Sequence, residues 1–117
     1  NAMTVNSSTI RLAELINDNA ALTPNEGDIV FDAIDKSLNQ GEQVHVDFKG
    51  IEFLTTAFLN AAIGQLYSKH NSLQLRSNLK VENISDADKL LLQIVIERAK
   101  QYFADPQRLE NLLEDGE

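Results

Sequence analysis

Two adjacent threonines, Thr55 and Thr56, stand where an apolar strand gives way to a helix in VHVDFKGIEFLTTAFLNAAIGQLY, residues 44–67. A hydroxyl at such a junction has two uses. It can accept an N–H bond from the first helical turn, a cap contributing on the order of 1 kcal/mol. Exposed on the helix tip, it can instead accept a phosphate or touch a partner. Capping suits Thr55, and the exposed role suits Thr56, the candidate phosphoacceptor. A phosphate there would add about −1.5 to −2 charges at a helix end whose dipole favours an anion by roughly 0.3–1 kcal/mol. In a docked interface the same charge, if unpaired, would cost several kcal/mol of desolvation. Modification would leave the fold intact and release the partner. Lys49, Thr55, Thr56 and Asn60 together form the candidate partner-binding surface.

Other chemistry is sparse. Asp47, at the end of the strand, could act as a base or metal ligand, but Glu52 is its only acidic neighbour across the bend, and bonding loop N–H groups is the commoner use. His45 reads as a satisfied strand histidine and His70 as a cation at a helix C-terminus. Two histidines 25 positions apart make no zinc pattern. Asp86 and Asp88 read as first-turn acids, and the glycines form no phosphate-binding loop. Phe58 and Tyr67 read as core, with a secondary role for Phe58 in a hydrophobic contact surface. No nucleophile, oriented base and oxyanion donor assemble, so an enzyme is not expected, nor a metal or cofactor.

The chain has 117 residues and no cysteine, which closes disulfide, thiolate-metal and cysteine-nucleophile chemistry. Asn1 and Ala2, ahead of Met3, read as a cloning remnant. Ten basic against eighteen acidic residues give a net charge of −8, which repels phosphate backbones and anionic lipid. Neither nucleic acid nor membrane is an expected partner. With no apolar run long enough for a span and no signal pattern, the expected location is cytoplasmic.

The elements that must position the threonines follow from periodicity. Residues 9–16 begin with a short strand. Thr23, Pro24 and Glu26 form a capping box with proline at the first helical position. Ile29, Val30, Ala33, Ile34 and Leu38 supply the inner face of that helix, Gly27 weakens its start, and Gly41 stops it. Val44, Val46 and Phe48 alternate with polar residues as a strand. Lys49 and Gly50 make the bend, and residues 51–54 approach the next helix in extended form. That helix buries Phe58, Leu59, Ala62, Ile63 and Leu66, turns Asn60, Gln65 and Lys69 outward, and runs to KHN. NSLQLRSN is ambiguous between strand and helix, whereas LKVENI reads as a strand. Ser85 and Asp88 cap a last helix with a stripe of Leu91, Ile94, Val95, Ala99, Tyr102 and Phe103, broad enough to cover a sheet face. Residues 105–117 hold five acids and one base, half the net charge. They read as an acidic C-terminal helix or tail whose Leu109, Leu112 and Leu113 would pack on the domain or on a second copy, giving a homodimer.

Alternating strands and helices argue for an α/β sandwich with parallel strand pairs. With VDFKGIEFLTTAFLNA the chain also resembles the STAS domain of anti-sigma-factor antagonists and of the cytoplasmic ends of sulfate transporters. Asp47, Gly50, Phe53 and Leu54 fit that family's strand end, and TTAF stands where its DSSG turn opens the next helix. The whole of residues 44–67, with LKVEN and the final helix, looks like bacterial STAS-like domains of unknown function over roughly residues 22–104. The resemblance places the phosphorylated serine of the turn on Thr56, which keeps the hydroxyl. It places the aspartate on Thr55, which lacks a carboxylate, and the glycine on bulky Phe58.

The expectation is therefore a single STAS-like domain over residues 3–104, a small mixed sheet of about four strands with helices packed on it. The resemblance implies a non-catalytic cytoplasmic regulatory module that binds a protein partner, a kinase-like ATPase, with phosphorylation at the helix start as its switch. The alternative it implies is a small-ligand or nucleotide-binding domain.

Overall fold

The computed structural model describes residues 6–104. In chain order the elements are β1 (Ser7–Arg11), α1 (Leu12–Leu15), β2 (Ala20–Ala21), α2 (Pro24–Asn39), β3 (Gln43–Asp47), β4 (Phe53–Leu54), α3 (Thr56–Ala62), a 3-10 helix (Gly64–Ser68), α4 (Ser72–Asn78), β5 (Leu79–Glu82) and α5 (Asp86–Ala104). The expected segment 105–117 lies outside the described residues.

Alternation makes β3 the centre. Val44 and Val46 are fully buried, and β3 lies between β1 and β5 with Val46 opposite Ile10 and Val81. Both pairings are parallel. A second, two-stranded parallel sheet joins β2 to β4, Ala20 opposite Phe53 and Ala21 opposite Leu54. One mixed sheet of about four strands is thus replaced by a three-stranded and a two-stranded sheet. The chain bends at Phe48 to Ile51, where the Ile51 N–H donates to the Phe48 carbonyl at 3.0 Å. Gly50 supplies φ +87 there, a left-handed conformation that costs glycine little. The bend carries Phe53 and Leu54 away from the first sheet and onto β2.

The capping box at α2 forms in full: the Glu26 N–H donates to Thr23 Oγ1 at 3.2 Å, and the Thr23 N–H donates to the Glu26 carboxylate at 3.1 Å. The buried face of α2 is Gly27, Val30, Ile34 and Leu38. Ile29, expected inside, is 50% exposed. Gly27 sets this rotation, because a Cβ there would lie 2.6 Å from both Ala61 Cβ and the Phe58 carbonyl oxygen. The glycine expected to weaken α2 is the point where α3 crosses it.

Phe58, Leu59, Ala62, Ile63 and Leu66 are buried and Asn60, Gln65 and Lys69 exposed, as the spacing predicts. The helix does not run through to KHN, however. Ile63 has φ −114, and the chain continues as the 3-10 helix. A β-branched residue followed by glycine is a weak point for an α-helix. The tighter i to i+3 pitch keeps Ile63 and Leu66 one above the other, both inside.

The ambiguous segment is helix α4, whose Asn71 cap accepts the Gln74 N–H at 2.8 Å. On α5, Ser85 Oγ accepts the Asp88 N–H at 3.2 Å. Its inner face is Leu92, Val95 and Ala99, while Ile94 and Tyr102, expected in the stripe, are 46% and 58% exposed. The reason is its neighbour: α5 packs mainly against the 3-10 helix and α3, a narrower surface than a sheet face. Among the described residues no helix is long and apolar enough to cross a membrane.

Candidate functional site

The corner containing the threonines is built from β2, β4 and the first turn of α3. Pairing of β4 with β2 brings the Thr55 N–H to the Ala21 carbonyl at 3.2 Å. The Thr55 hydroxyl then donates to the Leu22 carbonyl at 2.6 Å and accepts the Phe58 N–H at 3.2 Å. Thr55 is therefore cap and tie at once, joining α3 to the strand before α2. With φ −122 and ψ 158 it has the extended backbone an N-cap requires.

Thr56 is the first residue of α3 and is half-buried beside exposed Ala57. Among the described residues no hydrogen bond engages its hydroxyl. Asn60, one turn on, shares its side of the helix and is exposed. Leu22 and Phe53 flank Thr55 at 44% and 59% exposure. The spacing of the sequence marks neither as a surface residue of this corner, because only the pairing of β2 with β4 brings them to Thr55.

Lys49 is exposed on the turn after β3. Its N–H donates to Asp47 Oδ1 at 2.9 Å, an oxygen that also accepts from Asn83 Nδ2 at 2.9 Å. The structure thus brings Thr55, Thr56 and Asn60 onto one helix start and sets Lys49 on the preceding turn, beside Asp47 and Asn83. Asp47 bonds loop N–H groups as expected of an aspartate at a strand end. The Asn83 amide first, and then the Lys49 N–H, hold its carboxyl below the usual range. Phe58 is fully buried, which removes it from any contact surface: it stands on the inward side of α3, under Gly27.

Both histidines have carboxylate partners. His45 Nδ1 lies 2.8 Å from Glu82 Oε2 across the β3–β5 pair. His70 Nε2 lies 2.7 Å from Asp35 Oδ1, and Lys69 Nζ lies 2.8 Å from Asp35 Oδ2. Asp35 and His70 are 35 positions apart, so no local pattern announces this pair.

Alanine at the two threonines should separate their roles. Thr55→Ala is expected to lower stability by about 1–2 kcal/mol, through loss of the cap and of the Leu22 tie. Thr56→Ala should stay within about 0.5 kcal/mol of wild type, as surface changes do. Urea unfolding of both variants measures the split.

Acid should unfold the domain through its bonded carboxylates. Lys69, then His70, lower the pKa of Asp35, and the Thr23 and Leu22 N–H groups lower that of Glu26, as Asn83 and Lys49 do for Asp47. A carboxyl depressed in the folded state binds its proton more readily when unfolded. Its contribution is present above the unfolded value of about 4 and is lost as pH falls through the folded value. The urea midpoint should accordingly fall between about pH 7 and about pH 3, and less steeply in Asp35→Asn.

The profile of a family described as "STAS-like domain of unknown function (DUF4325)" matches residues 26–89. These residues run from the first turn of α2 to the first turn of α5 and include the whole threonine corner except β2 and its link to α2. No curated protein and no solved structure matches the chain.

Proposed function

We propose that this chain, which belongs to the STAS-like domain family, is a non-catalytic cytoplasmic regulatory module that docks a protein partner at the start of α3. The observation that carries this reading is the division of labour between the threonines. Thr55 caps the helix with the accepting side of its hydroxyl and ties it to Leu22 with the donating side, and among the described residues no hydrogen bond engages the Thr56 hydroxyl. Exposed Leu22 and Phe53 flank Thr55, and exposed Asn60 lies one turn on from Thr56, a mixed apolar and polar surface of the kind protein interfaces use.

The resemblance to anti-sigma-factor antagonists supports a kinase-like ATPase as partner and Thr56 as its phosphoacceptor. The absence of a carboxylate at Thr55 leaves the hydroxyl of Thr56 without the acidic neighbour of the family's turn. The helix end tolerates the added charge, and a closed interface does not. Lys49, one bend earlier, stands beside Asp47 and Asn83 at the end of β3 and is a proposed further contact for the partner.

Parallel affinity capture from the native cell with wild type, Thr56→Ala and Thr56→Glu tests this reading. An ATPase retained by wild type and Thr56→Ala and lost from Thr56→Glu is expected. Identical recovery by wild type and Thr56→Glu overturns it.

A further inference from the structure

Away from the threonine corner, a cavity of about 410 Å3 opens between the end of the 3-10 helix, the start of α4 and the last turns of α5. Its described ionisable lining is Tyr67, Lys69, His70 and Lys100, with no carboxylate, in a chain of net charge −8. The His70 side chain is 7% exposed and held by Asp35, which fixes the imidazole in the cavity wall. Asp35 also takes up one cation, Lys69, and Lys100 stands opposite on α5.

A second cavity of about 260 Å3 shares Tyr67, Ser72 and Lys100 with the first, and runs on to Leu75, Leu92 and Ile96. No carboxylate lines it among the described residues, and Arg76 is part of its lining. The first space falls in the size range of small-molecule sites, roughly 300–1,000 Å3, and the second, just below that range, adjoins it. One is polar and cationic, and the other is walled by aliphatic side chains. The long-range field of an acidic protein repels anions, so any attraction must come from this local lining.

We propose that the paired cavities bind a small amphipathic organic anion. Its carboxylate or phosphate head would lie between Lys100 and Ser72, beside the ring of His70, and its acyl or aryl body along Leu75, Leu92 and Ile96. Charge-assisted hydrogen bonds hold the head, and burial of apolar area holds the body. Neither half suffices: an inorganic ion lacks the body, and a neutral alcohol lacks the charge. The site uses none of Thr55, Thr56 or Asn60, so it stands or falls apart from the docking corner.

The test is a titration of the whole chain, followed by backbone amide resonances, with octanoate, octyl phosphate, 1-octanol and inorganic phosphate as separate probes. Saturable shifts centred on Tyr67, Ser72, Leu75 and Lys100 are expected with octanoate, octyl phosphate or both, the stronger of the two giving the preferred head. That binding should be about tenfold or more tighter than for 1-octanol or inorganic phosphate. Lys100→Glu should weaken it by about tenfold or more, while Arg98→Glu, the same change of net charge in a separate groove that Arg98 lines with Gln65 and Tyr102, leaves it within about twofold. The proposal is overturned if neither anion gives saturable shifts or if 1-octanol binds as tightly as both. It is overturned equally if Lys100→Glu has no effect, or if the two charge reversals weaken binding alike.

Discussion

Phe58→Ala should destabilise the domain by about 3–5 kcal/mol, the range for truncating a buried aromatic ring. Phe58 is the largest of the fully buried side chains. It lies on the face of α3 that meets α2 and packs in the same cluster as Val30 and Ile34 from that helix. Its surroundings are backbone and other buried side chains, which collapse poorly around a void, so the cavity penalty adds to the lost transfer energy. Domains of this size are stable by only about 5–15 kcal/mol, so one ring carries a large share. Urea unfolding gives the number. A loss under about 1 kcal/mol would mean that the ring sits at the surface, in the secondary contact role rather than the core one.

Gly27→Val should cost about 3 kcal/mol, toward the upper end of overpacking, and Gly27→Ala tests the same contact with the opposing term exposed. Alanine within a helix gains roughly 0.5–1 kcal/mol over glycine. Against that gain, the added Cβ would stand 2.6 Å from Ala61 Cβ and from the Phe58 carbonyl oxygen, the latter being backbone that cannot swing aside. Close packing passes such an overlap on as a shift of the whole helix, and α3 is tied at its start to the Leu22 carbonyl. The clash should therefore outweigh propensity, leaving Gly27→Ala less stable than wild type by about 1–2 kcal/mol. A Gly27→Ala protein more stable than wild type would show that the helices do not touch there.

The sequence announced those parts of the fold whose signals are local. Thr23, Pro24 and Glu26 state the start of α2 in adjacent positions, and the alternation of Val44 and Val46 states β3. The capping role of Thr55 follows from its place before a helical stripe. The shortfalls are positions where a neighbour distant in sequence decides. Residues 51–54 read as extended, but two-residue strands have no periodicity to detect, so β2 and its pairing with β4 stayed hidden, and with them the second sheet. The inner face of α2 turned on a glycine whose absent side chain carries no hydropathy, and Ile29 was drawn into the stripe in its place. On α5, Ile94 and Tyr102 fit a helical repeat as well as Leu92 does, and only the narrow surface offered by the 3-10 helix and α3 leaves them outside.

The candidate site divides in the same way. Thr55, Thr56 and Asn60 lie together because helical spacing puts them there, and that could be read directly. Leu22 and Phe53 join them only through the pairing of β2 with β4. The cationic cavity depends on His70 meeting Asp35 across α2, on α5 crossing the 3-10 helix, and on carboxylates being elsewhere, none of which a local motif records.

The most direct measurement places a photo-crosslinking side chain at Asn60 in the native cell, with Lys36, exposed on α2, as the control position. A discrete adduct to one protein from position 60, absent from position 36 and abolished when Thr56→Glu is added, is the result the docking corner predicts. An adduct that persists unchanged in Thr56→Glu, or the same adduct from both positions, would contradict it.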